Sequence, residues 1–378
     1  MIMYRIQVFC FFQILICFST LRICYAQQLE SFNHNGETRT YNLFIPTGWD
    51  NSENLPLLMV LHGLTQTGSG VMEITNFNAI AQQDNFIVCY PSGLNNAWNA
   101  NMNVSISNAD DIGFLENLIS TLSSQYNLDQ SRIYFCGFSN GGFMSMKMLC
   151  ESDICIAGVA AVSSTMSDTV YNNCSNAPVS SILQIHGTAD PVVPYDGSIS
   201  TGISVSSFLE LWSNQFNCGA NTLTTDIPNS NIWDFSTAQE ITYNNCLASQ
   251  LIHVKVLGGG HQWPGIETWN GGVGTINLDF YSPSFIWDFL KGKTCSSADL
   301  FETEHEEIEI YPNPSLGKIY IKCPINDYHI IIRDVQGNVL NTLQNNHSNM
   351  EIELYPGFYI FDIISDNYIL SRKRLVIN

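Results

Sequence analysis

The stretch Arg132–Cys150, RIYFCGFSNGGFMSMKMLC, constrains this chain more than any other, because it reads as strand, sharp turn and helix around one serine. Ile133, Tyr134, Phe135 and Cys136 form an apolar run with aromatic and β-branched members, and they lead straight into Gly137-Phe138-Ser139-Asn140-Gly141. Gly142 follows, and then Phe143, Met144, Met146, Met148 and Leu149, a composition that suits a helix. G-x-S-x-G between a strand and a helix is a nucleophile elbow. The turn strains the serine and lifts its Oγ out of the sheet, while the glycines let strand and helix approach closely. N–H groups at the helix N-terminus then face any oxyanion that develops there. The same pentapeptide also occurs in glycine-rich loops, so its meaning depends on what the rest of the chain supplies.

The rest of the chain repeats the strand–helix alternation. Arg39–Pro46 alternates apolar and polar residues and is stopped by proline, the pattern of an edge strand. Leu55–Leu61 (LPLLMVL) is a continuous apolar run of the kind a buried parallel strand shows, and Phe86–Tyr90 is another. Val71–Asp84 reads as one helix, and Asp110–Tyr126 as a second, with Ile112, Leu115, Ile119 and Leu122 on one face. Ile156–Val162, Ser181–Ile185 and Leu251–Leu257 add strands, with helices over Val205–Trp212 and Phe285–Leu290. Such alternation predicts an α/β fold, a mostly parallel sheet with helices on both faces. The chemistry of such sheets lies at the carboxyl ends of their strands.

Those ends carry the groups that an activated serine needs. His261 follows the last strand on a Gly-Gly-Gly loop, where a base belongs, with Trp263 and Pro264 beside it as a candidate pocket wall. Asp190, after SILQIHGTA, is the carboxylate expected to orient that base, and Asp196 in PYDG is the alternative. His62-Gly63-Leu64 follows the first buried strand, where backbone N–H groups of Leu64 and of Asn140 would stabilise an oxyanion. His62 and His186 read as packed residues. The order Ser139, Asp190, His261 is that of α/β-hydrolases. Chemistry of this kind needs no cofactor, and no Cys/His spacing resembles a zinc site.

Composition bounds the partners. Of 378 residues only 13% are charged, and the net charge is −20, which argues against nucleic acid or an anionic membrane as a partner. The N-terminus reads as a signal peptide over 1–26: Arg5, a mostly apolar Ile6–Leu21, and small-residue sites at Cys24 and Ala26. No other segment is apolar enough to span a bilayer. Export permits disulfides. Cys218 and Cys246 lie in polar, Asn-rich sequence and form the best candidate pair; Cys150, Cys155 and Cys174 can supply another, while Cys89 and Cys136 read as buried small hydrophobes. After Gly292 the character changes. An acidic linker over 293–307 leads into short alternating runs over 308–378, with turns at Pro312-Asn313-Pro314, Gln336-Gly337-Asn338 and Asp366-Asn367, a small all-β sandwich.

From about Glu37 to Leu290 the chain resembles the secreted esterase family that includes polyhydroxybutyrate depolymerases and, in carbohydrate esterase family 1, feruloyl and acetylxylan esterases. RTYNLFIP, PLLMVLHGLTQTG, YPSGLNNAWN, ADDIGFLENLI, LQIHGTADPVVPYDG and GGGHQWPG carry the resemblance, with the elbow. It implies an α/β-hydrolase domain over 27–292 with Ser139, Asp190 and His261 as a triad and the oxyanion loop at His62–Thr65. Trp98 is then expected near the substrate pocket, with Asp111 capping the helix that begins there. EIEIYPNPSLGKIYI, DVQGNVL, YPGFYIFDI and the basic ending SRKRLVIN resemble the C-terminal sorting domain of the type IX secretion system. The two resemblances together imply an extracellular or cell-surface ester hydrolase that meets the type IX machinery. Its expected substrate is feruloyl or acetyl groups on plant polysaccharide, with a polyhydroxybutyrate depolymerase and a non-catalytic binding protein as the alternatives.

Overall fold

A computed structural model describes residues 27–102, 107–174, 180–247, 249–267, 271–295, 308–323, 328–334, 339–345, 349–365 and 368–377. The expected signal peptide lies outside the described residues, as do most of the expected linker and the Gln336-Gly337-Asn338 and Asp366-Asn367 turns. The chain divides into two units between Lys293 and Thr294.

The first unit opens with β1 (Gln27–His34), β2 (Glu37–Phe44) and β3 (Leu55–Leu61), then α1 (Gly68–Thr75), α2 (Phe77–Asp84) and β4 (Ile87–Pro91). Next come α3 (Asp111–Gln125), β5 (Leu128–Phe138), α4 (Asn140–Glu151), β6 (Gly158–Val162), α5 (Asp168–Asn173) and β7 (Ser181–Gly187). It closes with α6 (Val205–Gln215), β8 (Thr222–Ile227), β9 (Thr237–Tyr243), β10 (Leu251–Leu257) and α7 (Ser282–Leu290). Ten strands form one sheet in the order β1-β2-β4-β3-β5-β6-β7-β10-β9-β8. From β4 to β10 every neighbouring pair is parallel, and the two strands at each edge are antiparallel.

Burial follows the two-residue period of the strands. Ile133 and Phe135 of β5 join one core with Phe114 of α3, Met144 of α4 and Trp212 of α6. Tyr134 between them turns to the other face and meets Trp287 of α7 edge-on, with ring centroids 5.9 Å apart. Helices therefore cover both faces, as expected. Cys89 and Cys136 are buried free thiols that burial pushes well above the ordinary thiol range, so they pack as apolar groups.

Two expectations are corrected. Val71–Asp84 is two helices, because Asn76 takes the left-handed conformation (φ 51°) and both ends α1 and starts α2. Arg39–Pro46 is not the sheet edge: β1 pairs outside β2 through a two-residue turn, with Asn35 and Gly36 at φ 52° and 86°. Asn-Gly is the favoured pair for such a turn, so the sequence held that signal. The hairpin of β8 and β9 likewise extends the other edge with antiparallel strands.

The second unit is all-β. β11 (Glu309–Tyr311), β12 (Lys318–Lys322) and β15 (Asn349–Glu353) form one sheet. β13 (Tyr328–Arg333), β14 (Val339–Asn345), β16 (Gly357–Ser365) and β17 (Tyr368–Ile377) form the other. Ile319 and Ile321 of the first sheet share one buried cluster with Ile330, Ile332 and Phe361 of the second, which makes the sandwich.

The disulfides Cys150–Cys174 and Cys218–Cys246 brace the first unit and close 24- and 28-residue separations, and Cys155 is disulfide-bonded as well. A loop of that length restricts the unfolded chain by about 3 kcal/mol. The double variant Cys150→Ser/Cys174→Ser is expected to lose about that much unfolding free energy, read from urea melts of the oxidised proteins. An unchanged midpoint would refute the bracing role.

Candidate active site

The elbow forms because backbone crowds backbone there. A Cβ on Gly137 would lie 2.2 Å from the carbonyl oxygen of Gly141, and one on Gly141 would lie 2.3 Å from that of Leu61 and 2.5 Å from that of His62. Only glycine permits these approaches. They force Ser139 between β5 and α4 into φ 51°, ψ −122°, a conformation costly for any residue with a side chain. Ser139 is the one residue of Gly137–Gly141 that is not buried.

The same crowding brings the elbow to the loop after β3, where the N–H groups sort themselves. Gly63 N–H donates to Gln66 Oε1 (2.8 Å) and Thr65 N–H to the carbonyl of Asn96 (2.8 Å), leaving Leu64 N–H between them without a partner among the described residues. At the elbow Ser139 N–H donates to Val162 (2.9 Å), while Gly142 and Phe143 N–H donate to the carbonyl of Ser139 (2.8 and 3.0 Å). Asn140 N–H at the start of α4 is likewise uncommitted among the described residues. Both predicted oxyanion donors are therefore available.

His261 and Asp190 meet from β10 and β7, which are parallel neighbours. A Cβ on Gly187 would lie 2.3 Å from the carbonyl oxygen of Gly259, so the two loops approach closely. His261 Nδ1–H donates to Asp190 Oδ2 at 2.8 Å, both residues being buried. Asp190 Oδ1 accepts from Val192 and Val193 N–H, each at 2.8 Å. This carboxylate is locked in place, and the tautomer it selects leaves His261 Nε2 unprotonated. Asp196, the alternative acid, is exposed and takes no part. The His261 ring lies 4.7 Å from that of Phe138, beside Ser139. No hydrogen bond joins Ser139 Oγ to His261 among the described residues; such bonds tighten when substrate binds.

The neighbouring histidines are packing groups. His186 Nε2–H donates to the carbonyl of Val193 (2.8 Å), its Nδ1 accepts from Gln184, and burial lowers its pKa, so it stays neutral beside Asp190. His62 Nδ1–H donates to the carbonyl of Gly63 (2.7 Å) and its Nε2 accepts from Gly93 N–H (2.9 Å); burial lowers its pKa to about 4.

The expected pocket residues sit elsewhere than on an open wall. Trp98 and Trp263 are 1% and 0% exposed. Trp263 stacks under Phe138, with centroids 5.8 Å apart. Trp98 links the loop after β3 to the start of α4: its Nε1–H donates to the carbonyl of His62 (3.0 Å), its N–H donates to Asn140 Oδ1 (2.7 Å), and Asn140 Nδ2 donates back to its carbonyl (3.1 Å). The Asn140 side chain thus has a positioning job that the elbow motif does not reveal. Asp111 is not the helix cap. Asp110 caps α3 by accepting from Gly113 N–H (3.0 Å), and Asp111, buried, pairs with Arg39 (2.5 Å) and accepts from Asn99 N–H (2.7 Å). Burial raises the Asp111 pKa, with Asn99 and Arg39 opposing it.

A cavity of about 440 Å³, lined by His34, Arg39, Leu94, Asn95 and Asp110 among others, holds no triad member. Among the described residues no group of His, Cys, Asp and Glu is set to hold a metal, and no helix is long and apolar enough to cross a membrane.

Two predictions follow from these contacts. Trp98→Phe keeps an aromatic ring and removes the donor to His62, so kcat on a soluble ester is expected to fall about tenfold with KM little changed; an unaltered kcat in a folded Trp98→Phe variant would refute the bridging role. His62 stays neutral in the fold down to about pH 4, whereas the unfolded chain binds its proton below 6.5. Its contribution is therefore complete above pH 6.5 and is lost as the pH falls toward 4, by about 3 kcal/mol. Thermal melts should show that acid slope, shallower in His62→Gln.

Residues 49–221 match the family described as phospholipase/carboxylesterase, and residues 309–378 match the secretion system C-terminal sorting domain. A protein provisionally named as the esterase NocK, from Nocardia uniformis subsp. tsuyamanensis, is 26% identical over 61% of this chain and 72% of its own length. A bifunctional acetylxylan esterase/xylanase of Neocallimastix patriciarum is 27% identical over 60% of this chain. Feruloyl esterase C of Emericella nidulans is 31% identical over 43% of this chain. The chain spans 31% and 58% of the length of those last two proteins. Over residues 49–221 the chain is thus similar to phospholipases and carboxylesterases, and over residues 309–378 it carries a secretion-system sorting domain.

Proposed function

We propose that this exported esterase hydrolyses carboxylic esters through an acyl-enzyme on Ser139, and that its substrates are feruloyl or acetyl groups on plant polysaccharide. The observation that carries the reading is the buried 2.8 Å bond from His261 Nδ1 to Asp190 Oδ2, set beside a serine held at φ 51°. Ser139 Oγ attacks the ester carbonyl while His261 Nε2 takes its proton, and Asp190 stabilises the resulting imidazolium. The tetrahedral oxyanion is received by the N–H groups of Leu64 and Asn140. The alcohol leaves with the proton from His261, and water repeats the sequence on the acyl-serine. Relatives named as acetylxylan and feruloyl esterases support the substrate class.

The test is hydrolysis of methyl ferulate, acetylated xylan and amorphous polyhydroxybutyrate by the full chain. Release of ferulate or acetate is expected, with a loss on the order of 10⁶-fold in Ser139→Ala and about 10⁴-fold in Asp190→Asn. Clearing of the polyester alone would replace the substrate class and leave the triad standing. Equal turnover by the parent and Ser139→Ala would sink the nucleophile.

A further inference from the structure

We infer that the loop between β8 and β9 is a binding platform for a neutral polysaccharide chain, with Trp233 and Phe235 as its ring-stacking faces. The inference rests on the esterase reading above and extends it to how a polymer is held.

Strand direction places this loop. β9 runs antiparallel to β10, with Thr237 opposite Leu257, so the residues before β9 lie at the carboxyl end of β10, from which the chain runs on to His261. The contact is close, since a Cβ on Gly258 would lie 3.1 Å from the carbonyl oxygen of Phe235. Gly258 N–H in turn donates to Thr188 Oγ1 (2.9 Å), two residues before Asp190.

The loop holds large apolar groups out in water. Ile232, Trp233 and Phe235 are 63%, 78% and 84% exposed. Their mounting is rigid. Asp234 Oδ1 accepts from Ser236 N–H and Oγ–H, and its Oδ2 accepts from Leu278 N–H, all at 2.8 Å. The buried Asn277 donates to Ser236 Oγ at 2.9 Å. Phe235 sits at φ 58°, a conformation that a bulky residue adopts only when its surroundings enforce it. Exposed aromatic faces fixed in strained backbone mark a surface made to meet something.

The chemistry around the rings says what. Two nearby carboxylates are engaged in holding the loop, Asp234 through Ser236 and Leu278 and Asp279 through Asn231 N–H (3.1 Å) and Asn277, and the neighbours Asn229 and Ser230 are exposed and neutral. No lysine or arginine occurs between Lys147 and Lys255. A polyanion finds no counter-charge here. A sugar chain fits, because its C–H faces lie on the electron-rich faces of aromatic rings while its hydroxyls bond to neutral amides and hydroxyls.

The experiment is affinity electrophoresis of the full chain in native gels containing soluble xylan, in a Ser139→Ala background so that binding is read apart from catalysis. Retardation is expected, weakened about fivefold by Trp233→Ala. In the active background, the ratio of kcat/KM on acetylated xylan to that on 4-nitrophenyl acetate should fall by a similar factor, with an unchanged melting temperature showing that the fold is intact. Retardation that survives both Trp233→Ala and Phe235→Ala overturns the platform. Retention on amorphous polyhydroxybutyrate, lost in the variant while xylan never retards the parent, gives the face to a polyester instead. A drop from dimer to monomer in the variant, measured by light scattering, gives it to a second copy. Xylan binding with no hydrolysis of any ester by the parent would sink the esterase reading alone.

Discussion

The packing of Gly141 against the carbonyls of Leu61 and His62 is the contact on which the site depends. Two backbones meet there with no room for a side-chain atom, so α4 is drawn down onto the end of β3. Three consequences follow from that one approach. Ser139 is driven into a strained turn and left as the accessible residue of the elbow. The start of α4, with its uncommitted N–H groups, faces the loop that holds Leu64. The carbonyl of His62 is presented where Trp98 can bind it. A larger residue at position 141 would move helix, turn and loop together, because no flexible side chain is present to absorb the change.

Burial then decides which polar groups can act. His62 and His186 have both ring nitrogens bonded and burial disfavours their charged forms; His186 Nε2 lies 3.5 Å from Asp190 Oδ2 but gives its proton to Val193, so the short bond to that oxygen is left to His261. Asp111 is as deeply buried as Asp190, yet it faces Arg39 and a backbone N–H and is spent on structure. Asp190 gives one oxygen to two backbone donors and the other to His261. The difference between a structural and a reactive carboxylate here is the partner, not the depth.

Much of this was legible in the sequence, for reasons of period and of local turn chemistry. β3 is a continuous apolar run and β10 a mostly apolar one interrupted by His253 and Lys255, both bounded by turn residues, and their limits match the structure. The serine, acid and histidine each follow a strand, so parallel topology alone gathers them at one end. What stayed hidden depends on distance or on subtle breaks. Asn76 enters the left-handed region as glycine would, and nothing nearby marks it as a helix boundary. β8 carries mostly exposed polar residues and lacks the apolar alternation that identifies a strand. Arg39 and Asp111 pair across 72 positions, which no local pattern encodes. Trp98 was placed near the pocket by motif, while its true surroundings come from loops that sequence cannot pack.

The antiparallel edges give the site its extent. The six parallel strands alone supply the elbow and the loops that carry Asp190 and His261. β1 and β2 bring Arg39 to Asp111, and through Asn99 they steady the segment that carries Trp98 behind the oxyanion donors. β8 and β9 carry the chain back to the carboxyl end of β10, so their connection must emerge beside the loop of His261. In each edge hairpin the second strand runs antiparallel to its parallel neighbour, so the turn before it emerges at the carboxyl end of the sheet. In this molecule one edge hairpin therefore stabilises the chemistry from behind, and the other adds surface in front of it.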